Sequence, residues 1–99
     1  MENNKLIAEF MDVDYVDVDT YLESNKELKY HKSWDWLDKV VEKIERLGYS
    51  FEKNYQPIDK DWQSLIVKGY NILFQEFNVD SLKSSYKVVV EFIKWYNKK

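Results

Sequence analysis

The sequence predicts an α+β fold in which three helices pack on a small antiparallel β-sheet. Apolar residues recur at helical spacing near residues 4–11, 33–47 and 81–97. Between the last two of these segments, residues 49–78 are rich in aromatic and β-branched side chains and contain turn residues, which favours strands. Because 99 residues is the size of one domain, we expect a single domain over 1–99.

The first helix is predicted from apolar residues that lie on one helical face, namely Leu6, Ile7, Phe10 and Met11. The next segment, 12–23, is acidic and alternates valine with aspartate only in part. We therefore predict an irregular or edge segment there. Residues 24–32 are polar and are predicted to connect it to the second helix.

The second helix has clear signals at both ends. Ser33 is a favourable N-cap residue, and Asp35 lies in the first turn, where a negative charge stabilises the helix dipole. Gly48 follows the last apolar residue, at the position where a left-handed C-cap is needed. The apolar stripe between these ends consists of Trp34, Leu37, Val40, Val41, Ile44 and Leu47.

A strand and a turn are predicted directly after the second helix. Aromatic and polar residues alternate over 49–55, which is typical of a strand. The turn is predicted at 56–59, because Pro57, the only proline of the chain, lies there.

Residues 62–79 are compatible with two structures. Their apolar residues match a helical stripe, but β-branched and aromatic residues are frequent in the same segment. Gly69 and Asn71 would both weaken the interior of a helix. We therefore favour two strands, at 63–68 and 71–78, joined by a tight turn.

The last helix is predicted to begin after an N-cap at Asp80 or Ser81 and to end near Asn97. More than half of its circumference is apolar, which predicts either a central position in the fold or self-association through 81–97. One apolar face comprises Leu82, Tyr86, Val89, Val90, Ile93 and Tyr96, and the other comprises Val88, Phe92 and Trp95.

Three blocks of the sequence resemble a family of short phage and prophage proteins that has no assigned activity. These blocks are NKLIAEFM at 4–11, YHKSWDWL at 30–37 continuing into VVEKIE at 40–45, and VVEFIKWYN at 89–97. The usual glycine after the first block and Met-Pro after Trp-Leu are replaced by Asp12 and by Asp38-Lys39. The resemblance implies strands between the last two blocks. It also implies an accessory role, such as host takeover or inhibition of a bacterial defence factor.

The composition excludes several kinds of site. Without cysteine there is no disulfide, thiolate zinc site or cysteine nucleophile, and we expect a cytoplasmic location in a bacterial host. We expect no signal peptide and no membrane partner, since no stretch approaches the roughly 20 apolar residues that span a bilayer. The two glycines form no phosphate-binding loop, and we expect no cofactor.

The charge is distributed unevenly along the chain. The net charge is −3, but residues 1–25 carry seven acids and one lysine, whereas residues 26–99 carry eleven acids and fourteen bases. Arg46 is the only arginine, and arginine is the residue that most often reads guanine edges. We therefore expect no sequence-specific nucleic-acid partner.

The acidic segment has three interpretations. Asp12, Asp14 and Glu23 match positions 1, 3 and 12 of a calcium loop, but position 6 is an aspartate rather than glycine, so no metal is predicted. A charged edge that deters aggregation is the second interpretation. The third is a surface that imitates nucleic-acid phosphate and occupies a basic groove of a target protein. Its candidate binding residues are Asp12, Asp14, Asp17 and Asp19.

His31 is the only histidine and lacks a second His or a Cys for a metal site or a nucleophile pair. Ser33 and Asp35 are close in sequence, but the chain contains no nucleophile-elbow motif. We expect His31 to make a local hydrogen bond, and we predict no catalytic residue.

Four aromatic residues, Trp34, Trp36, Trp95 and Tyr96, are candidate binding residues, because exposed Trp and Tyr dominate interface hot spots. Within each pair the side chains point to different sides of a helix. Ordinary core packing is the alternative for each of them. We expect a non-enzymatic protein that binds another protein. The alternative is a small-ligand or signalling-nucleotide binder that uses aromatic stacking and lysines.

Overall fold

The computed structural model describes residues 2–11 and 28–99, and this part of the chain confirms the predicted α+β architecture of three helices and a three-stranded antiparallel sheet. Every predicted end of these elements lies within two residues of the observed one, and 62–79 forms two strands. The elements are α1 (Glu2–Phe10), α2 (Trp34–Arg46), β1 (Ser50–Gln56), β2 (Asp61–Lys68), β3 (Asn71–Asn78) and α3 (Ser81–Tyr96).

Helix α2 ends as its sequence predicts but begins with one difference. Ser33 has the extended backbone of an N-cap, yet its side chain makes no capping hydrogen bond. At the other end, Gly48 has a φ of +100° and donates its N–H to Glu45 O at 3.0 Å. The N–H of Tyr49 donates to Ile44 O at 3.4 Å, which completes a Schellman C-cap.

Among the described residues, the sheet is a simple meander in the order β1-β2-β3, with β1 and β3 as its edges. A two-residue turn joins β2 to β3, and Gly69 takes its first central position with a φ of +63°. Strand β3 contains one extra residue, Leu73, because Ile72 pairs with Val67 while Phe74 pairs with Ile66. This bulge allows Leu73 and Phe74 both to pack against the core.

The described helices lie on one face of the sheet. Ser64 of β2 is fully buried and shares hydrogen bonds with Ser84 (2.7 Å) and Ser85 (2.9 Å) of α3. Lys53 of β1 extends over the ring of Trp34 in α2 on the same side. The opposite face therefore carries the alternate residues of each strand.

Helix α3 is sandwiched between the sheet and the other two helices. Its N-cap is Asp80, whose carboxylate accepts a hydrogen bond from the Leu82 N–H. Both apolar faces are covered within one chain, and Val88, Val89, Phe92 and Ile93 are fully buried. A central position therefore accounts for the apolar circumference of this helix. In the described part of the chain, no helix has the length and apolarity needed to cross a membrane.

Candidate functional site

The structure places the two tryptophans of α2 on different sides of the helix, as predicted, and each is half-buried. The Nζ of Lys53 lies 3.9 Å from the centroid of the Trp34 ring, a cation–π contact against β1. Trp36 instead packs edge-to-face with Tyr30, with centroids 5.1 Å apart. The two tryptophans therefore do not form a common surface.

Trp95 and Tyr96 anchor the end of α3 in the core. Trp95 packs against Tyr49 and Phe74, with ring centroids 6.1 and 5.8 Å apart. Tyr96 stacks on Phe92, with centroids 5.6 Å apart, on the side of the helix that faces α1. All four predicted aromatic residues thus have packing roles, and they do not converge on one site. The acidic candidates Asp12, Asp14, Asp17 and Asp19, and the rejected calcium frame, lie outside the described residues.

His31 makes contacts with residues distant in sequence rather than the local hydrogen bond that its position predicts. Its Nδ1 lies 2.7 Å from the side-chain nitrogen of Asn4, and its ring packs against Tyr86 at 6.2 Å. Asn4 has its amide nitrogen near Leu28 O as well, and its oxygen accepts from the Tyr86 hydroxyl. Because the Asn4 amide donates, Nδ1 of His31 acts as the acceptor in this network. Within residues 2–11 and 28–99, no three acidic or histidine side chains are grouped to hold a metal.

Strand β3 carries an apolar surface that sequence analysis did not identify. Ile72 is 54 % exposed and Phe77 is 51 % exposed. Both lie on the sheet face opposite the helices, since they pair with Val67 and Gln63 of β2. We name Ile72, Gln75 and Phe77, together with the backbone edge of β3 that pairs with no strand among residues 2–11 and 28–99, the β3 surface.

The apolar character of this sheet face extends inward from the edge. Leu65 and Val67 of β2 are only 6 % and 9 % exposed, although they lie outside the core cluster between sheet and helices. A hydrogen bond of 2.8 Å from Gln63 Nε2 to Gln75 Oε1 links the polar part of the same face across the strands. The β3 surface therefore consists of aliphatic, aromatic and amide groups.

The bulge explains why the strand pattern did not reveal this surface. In a regular strand, residues five apart such as Ile72 and Phe77 point to opposite faces. The extra residue Leu73 shifts the alternation, so both lie on one face. A usable signal is present nonetheless: residues 71–78 contain no proline, lysine or arginine, the residues that commonly protect an edge strand.

A carboxyl pair lies on the other side of β3, against α3. Burial, followed by a hydrogen bond and repulsion from Glu76, raises the pKa of Glu91 to about 7. Lys87 and Lys94 act in the opposite direction, and Lys87 Nζ lies 3.7 Å from the Glu76 carboxylate. The one acidic residue of β3 therefore engages α3 and leaves the β3 surface without charge.

A cavity of about 330 Å³ lies at the start of α2. Its lining among the described residues is Met11, Tyr30, Asp35, Trp36 and Lys39, so one of the predicted binding residues, Trp36, forms part of its wall. It is separate in sequence and in lining residues from the β3 surface.

Comparison with known proteins adds no relative: no family model, curated protein or solved structure matches the chain. The resemblance to short phage proteins stays a prediction.

Proposed function

We propose that the protein acts without catalysis, by binding an extended segment of another protein along the β3 surface. The observation that supports this is an edge strand of eight residues with two half-exposed apolar side chains on one face. An edge strand presents a row of backbone donors and acceptors, and an incoming strand satisfies them while its alternate side chains contact the neighbouring face.

The chemistry of the β3 surface favours a neutral, apolar partner strand. Ile72 and Phe77 offer aliphatic and aromatic contacts, and Gln75 offers an amide between them. The charge of Glu76 is directed toward Lys87 of α3. A partner strand rich in β-branched residues therefore meets no like charge and buries apolar area on Ile72 and Phe77.

The other edge strand differs in a way that supports the choice of β3. Strand β1 contains Glu52 and Lys53, and the Lys53 ammonium extends over the Trp34 ring of α2. Charged side chains on an edge strand disfavour the addition of another strand.

The resemblance to phage proteins makes a bacterial host protein, such as a defence factor, the partner to test, in the cytoplasm of the host. Self-association through 81–97 has less support than binding at β3, because α3 is covered on both apolar faces within the chain. A second copy that pairs along β3 is the competing occupant, and the experiment below separates the two.

The test uses the double variant Ile72→Thr, Phe77→Thr, which keeps strand-forming residues but removes apolar contact area. The matched control is Ile58→Thr, since Ile58 is 94 % exposed in the β1–β2 connection. We expect a host protein to be retained by the wild type and the control but not by the double variant. Its addition should slow amide hydrogen exchange in residues 71–78.

Two results would contradict the proposal. One is equal retention of the partner by the double variant, provided that circular dichroism shows the variant to be folded. The other is a wild-type dimer in light scattering that the double variant converts to a monomer, because the β3 surface would then be occupied by a second copy.

A further inference from the structure

The cavity at the start of α2 has the size and composition of a small-molecule site. Its volume of about 330 Å³ is at the lower end of the range of roughly 300–1,000 Å³ that ligand pockets occupy. Two aromatic rings and a methionine supply apolar wall, and two charged residues add polar groups. A mostly apolar concavity with a few placed polar groups is the usual form of a ligand site.

The rings of Tyr30 and Trp36 form a corner. Their planes are 85° apart and their centroids are separated by 5.1 Å. Tyr30 is buried whereas Trp36 is half-buried, so a flat ring in the cavity lies on the Trp36 plane and presents its edge to Tyr30, an arrangement that is favourable for aromatic groups. Met11 supplies a flexible thioether wall that adapts to the outline of a ring. The corner therefore selects planar, unsaturated ligands.

The charged groups of the cavity come from one face of α2. Asp35 and Lys39 are four residues apart, so they are neighbours on the helix surface, and both are exposed. Asp35 lies in the first turn of α2, where the helix dipole stabilises its carboxylate. Lys39 lies one turn further on and is the positive charge among the described lining residues.

We propose that this cavity binds a small planar aromatic compound that carries an anionic group, with the ring on Trp36 and the anion at Lys39. The compound has two sources with this shared chemistry, an aromatic carboxylate and a mononucleotide. Binding does not depend on the β3 surface, so it is a second property of the protein.

The experiment is calorimetric titration of the full chain with matched probes. Indole-3-acetate and adenosine 5′-monophosphate carry a ring and an anion. Indole and adenosine carry the ring alone, while acetate and inorganic phosphate carry the anion alone. We expect at least one of the first two probes to bind at least tenfold more tightly than its own ring and anion controls. Whichever binds identifies the source.

Exposed charged residues provide variants that leave the fold unchanged. Lys39→Ala should lower the affinity for the anionic probe about tenfold and leave the affinity for its neutral ring analogue unchanged. Asp35→Asn should raise the affinity for the anionic probe several-fold, because a nearby negative charge is removed. Lys83→Ala, at an exposed lysine of α3, is the matched control and should change the affinity for neither probe.

The inference is wrong if neither anionic probe binds, or if the neutral rings bind as tightly as the anionic ones. It is also wrong if Lys39→Ala and Lys83→Ala have equal effects. The Ile72→Thr, Phe77→Thr variant should bind the probes as the wild type does. Loss of partner binding with retention of probe binding therefore separates the two proposals.

Discussion

Asn4, in the first helix, accepts a hydrogen bond of 2.8 Å from the hydroxyl of Tyr86 in the last helix, across 82 positions of sequence. The Asn4 amide nitrogen also lies 2.9 Å from Leu28 O and 2.7 Å from His31 Nδ1. Burial raises the pKa of Tyr86 further above neutrality, and its protonated hydroxyl is the donor. One side chain that is 2 % exposed thus joins α1, the segment before α2, and α3.

The substitution Asn4→Ala should destabilise the protein by about 2–3 kcal/mol, because it leaves one buried and two partly buried polar groups without their partner. The matched control is Asn3→Ala, since Asn3 is exposed in the same helix. Urea denaturation of both variants measures the difference. If the two variants have the same free energy of unfolding, the network does not hold α1 in place.

The buried serine cluster should show coupled effects. Ser64, Ser84 and Ser85 are fully buried, and Ser64 shares hydrogen bonds with both of the others. We expect Ser64→Ala to lower the free energy of unfolding by about 1–2 kcal/mol, because a buried hydroxyl pair is broken. Ser84→Ala should lower the free energy of unfolding less in the Ser64→Ala variant than in the wild type, because the hydrogen bond between the two serines is already absent from that variant.

The control for the serine cluster is Ser50→Ala, at an exposed serine of β1. A thermodynamic cycle built from thermal or urea unfolding of the single and double variants gives the coupling energy. Strict additivity of the two buried substitutions would show that the hydrogen bond contributes nothing to stability.

The Glu76–Glu91 pair should make stability depend on pH. The pKa of Glu91 is raised from its ordinary value of 4.5 to about 7 in the folded chain, so between these values the folded form holds a proton that the unfolded chain has released. The stabilisation is complete below about pH 4.5 and is lost as the pH rises through about 7. Glu91→Gln should remove this dependence.

We expect Glu91→Gln to be more stable than the wild type by about 1 kcal/mol at pH 8, with a smaller difference at pH 4.5. The value is reduced from the full shift because the carboxyl is partly exposed to solvent. Urea unfolding at both pH values, with Glu42→Gln at an exposed position of α2 as control, measures it. If the difference in free energy of unfolding between the wild type and Glu91→Gln does not change with pH, the raised pKa of Glu91 is contradicted.

Substitutions at two positions with positive φ should change the stability in opposite directions. Gly48→Ala should destabilise by about 1–2 kcal/mol through backbone strain alone, because an added Cβ at Gly48 meets no atom within 4 Å. Lys60 has a φ of 55° in the β1–β2 connection, where Lys60→Asn should stabilise by about 0.5 kcal/mol, since asparagine tolerates this conformation. Thermal unfolding distinguishes the signs, and a stabilising Gly48→Ala would refute the C-cap assignment.

The elements were predictable because their signals are local. The stripe from Leu37 to Ile44 and the glycine at 48 predicted α2, and both are used as expected. Gly69 and Asn71 favoured two strands over a helix, and Gly69 indeed lies in a hairpin turn. The unused hydroxyl of Ser33 shows the limit, since a favourable residue type does not ensure that its side chain makes the bond.

The candidate sites were less predictable, because they depend on which surfaces remain uncovered. Trp95 and Tyr96 were candidates for binding by residue type, but in the structure their rings pack against core residues. Ile72 and Phe77 were not candidates. A bulge that no local sequence pattern predicts places both on the sheet face opposite the helices.

The sequence by itself determined where helices, strands and turns lie, since periodicity, caps and glycine positions act within a few residues of chain. It also excluded thiol chemistry through composition. Only the tertiary structure decided that α3 is central, that the helices cover one sheet face, and that Met11, Tyr30 and Trp36 enclose a cavity. These outcomes depend on contacts between residues distant in sequence, such as Asn4 and Tyr86, which local patterns cannot specify.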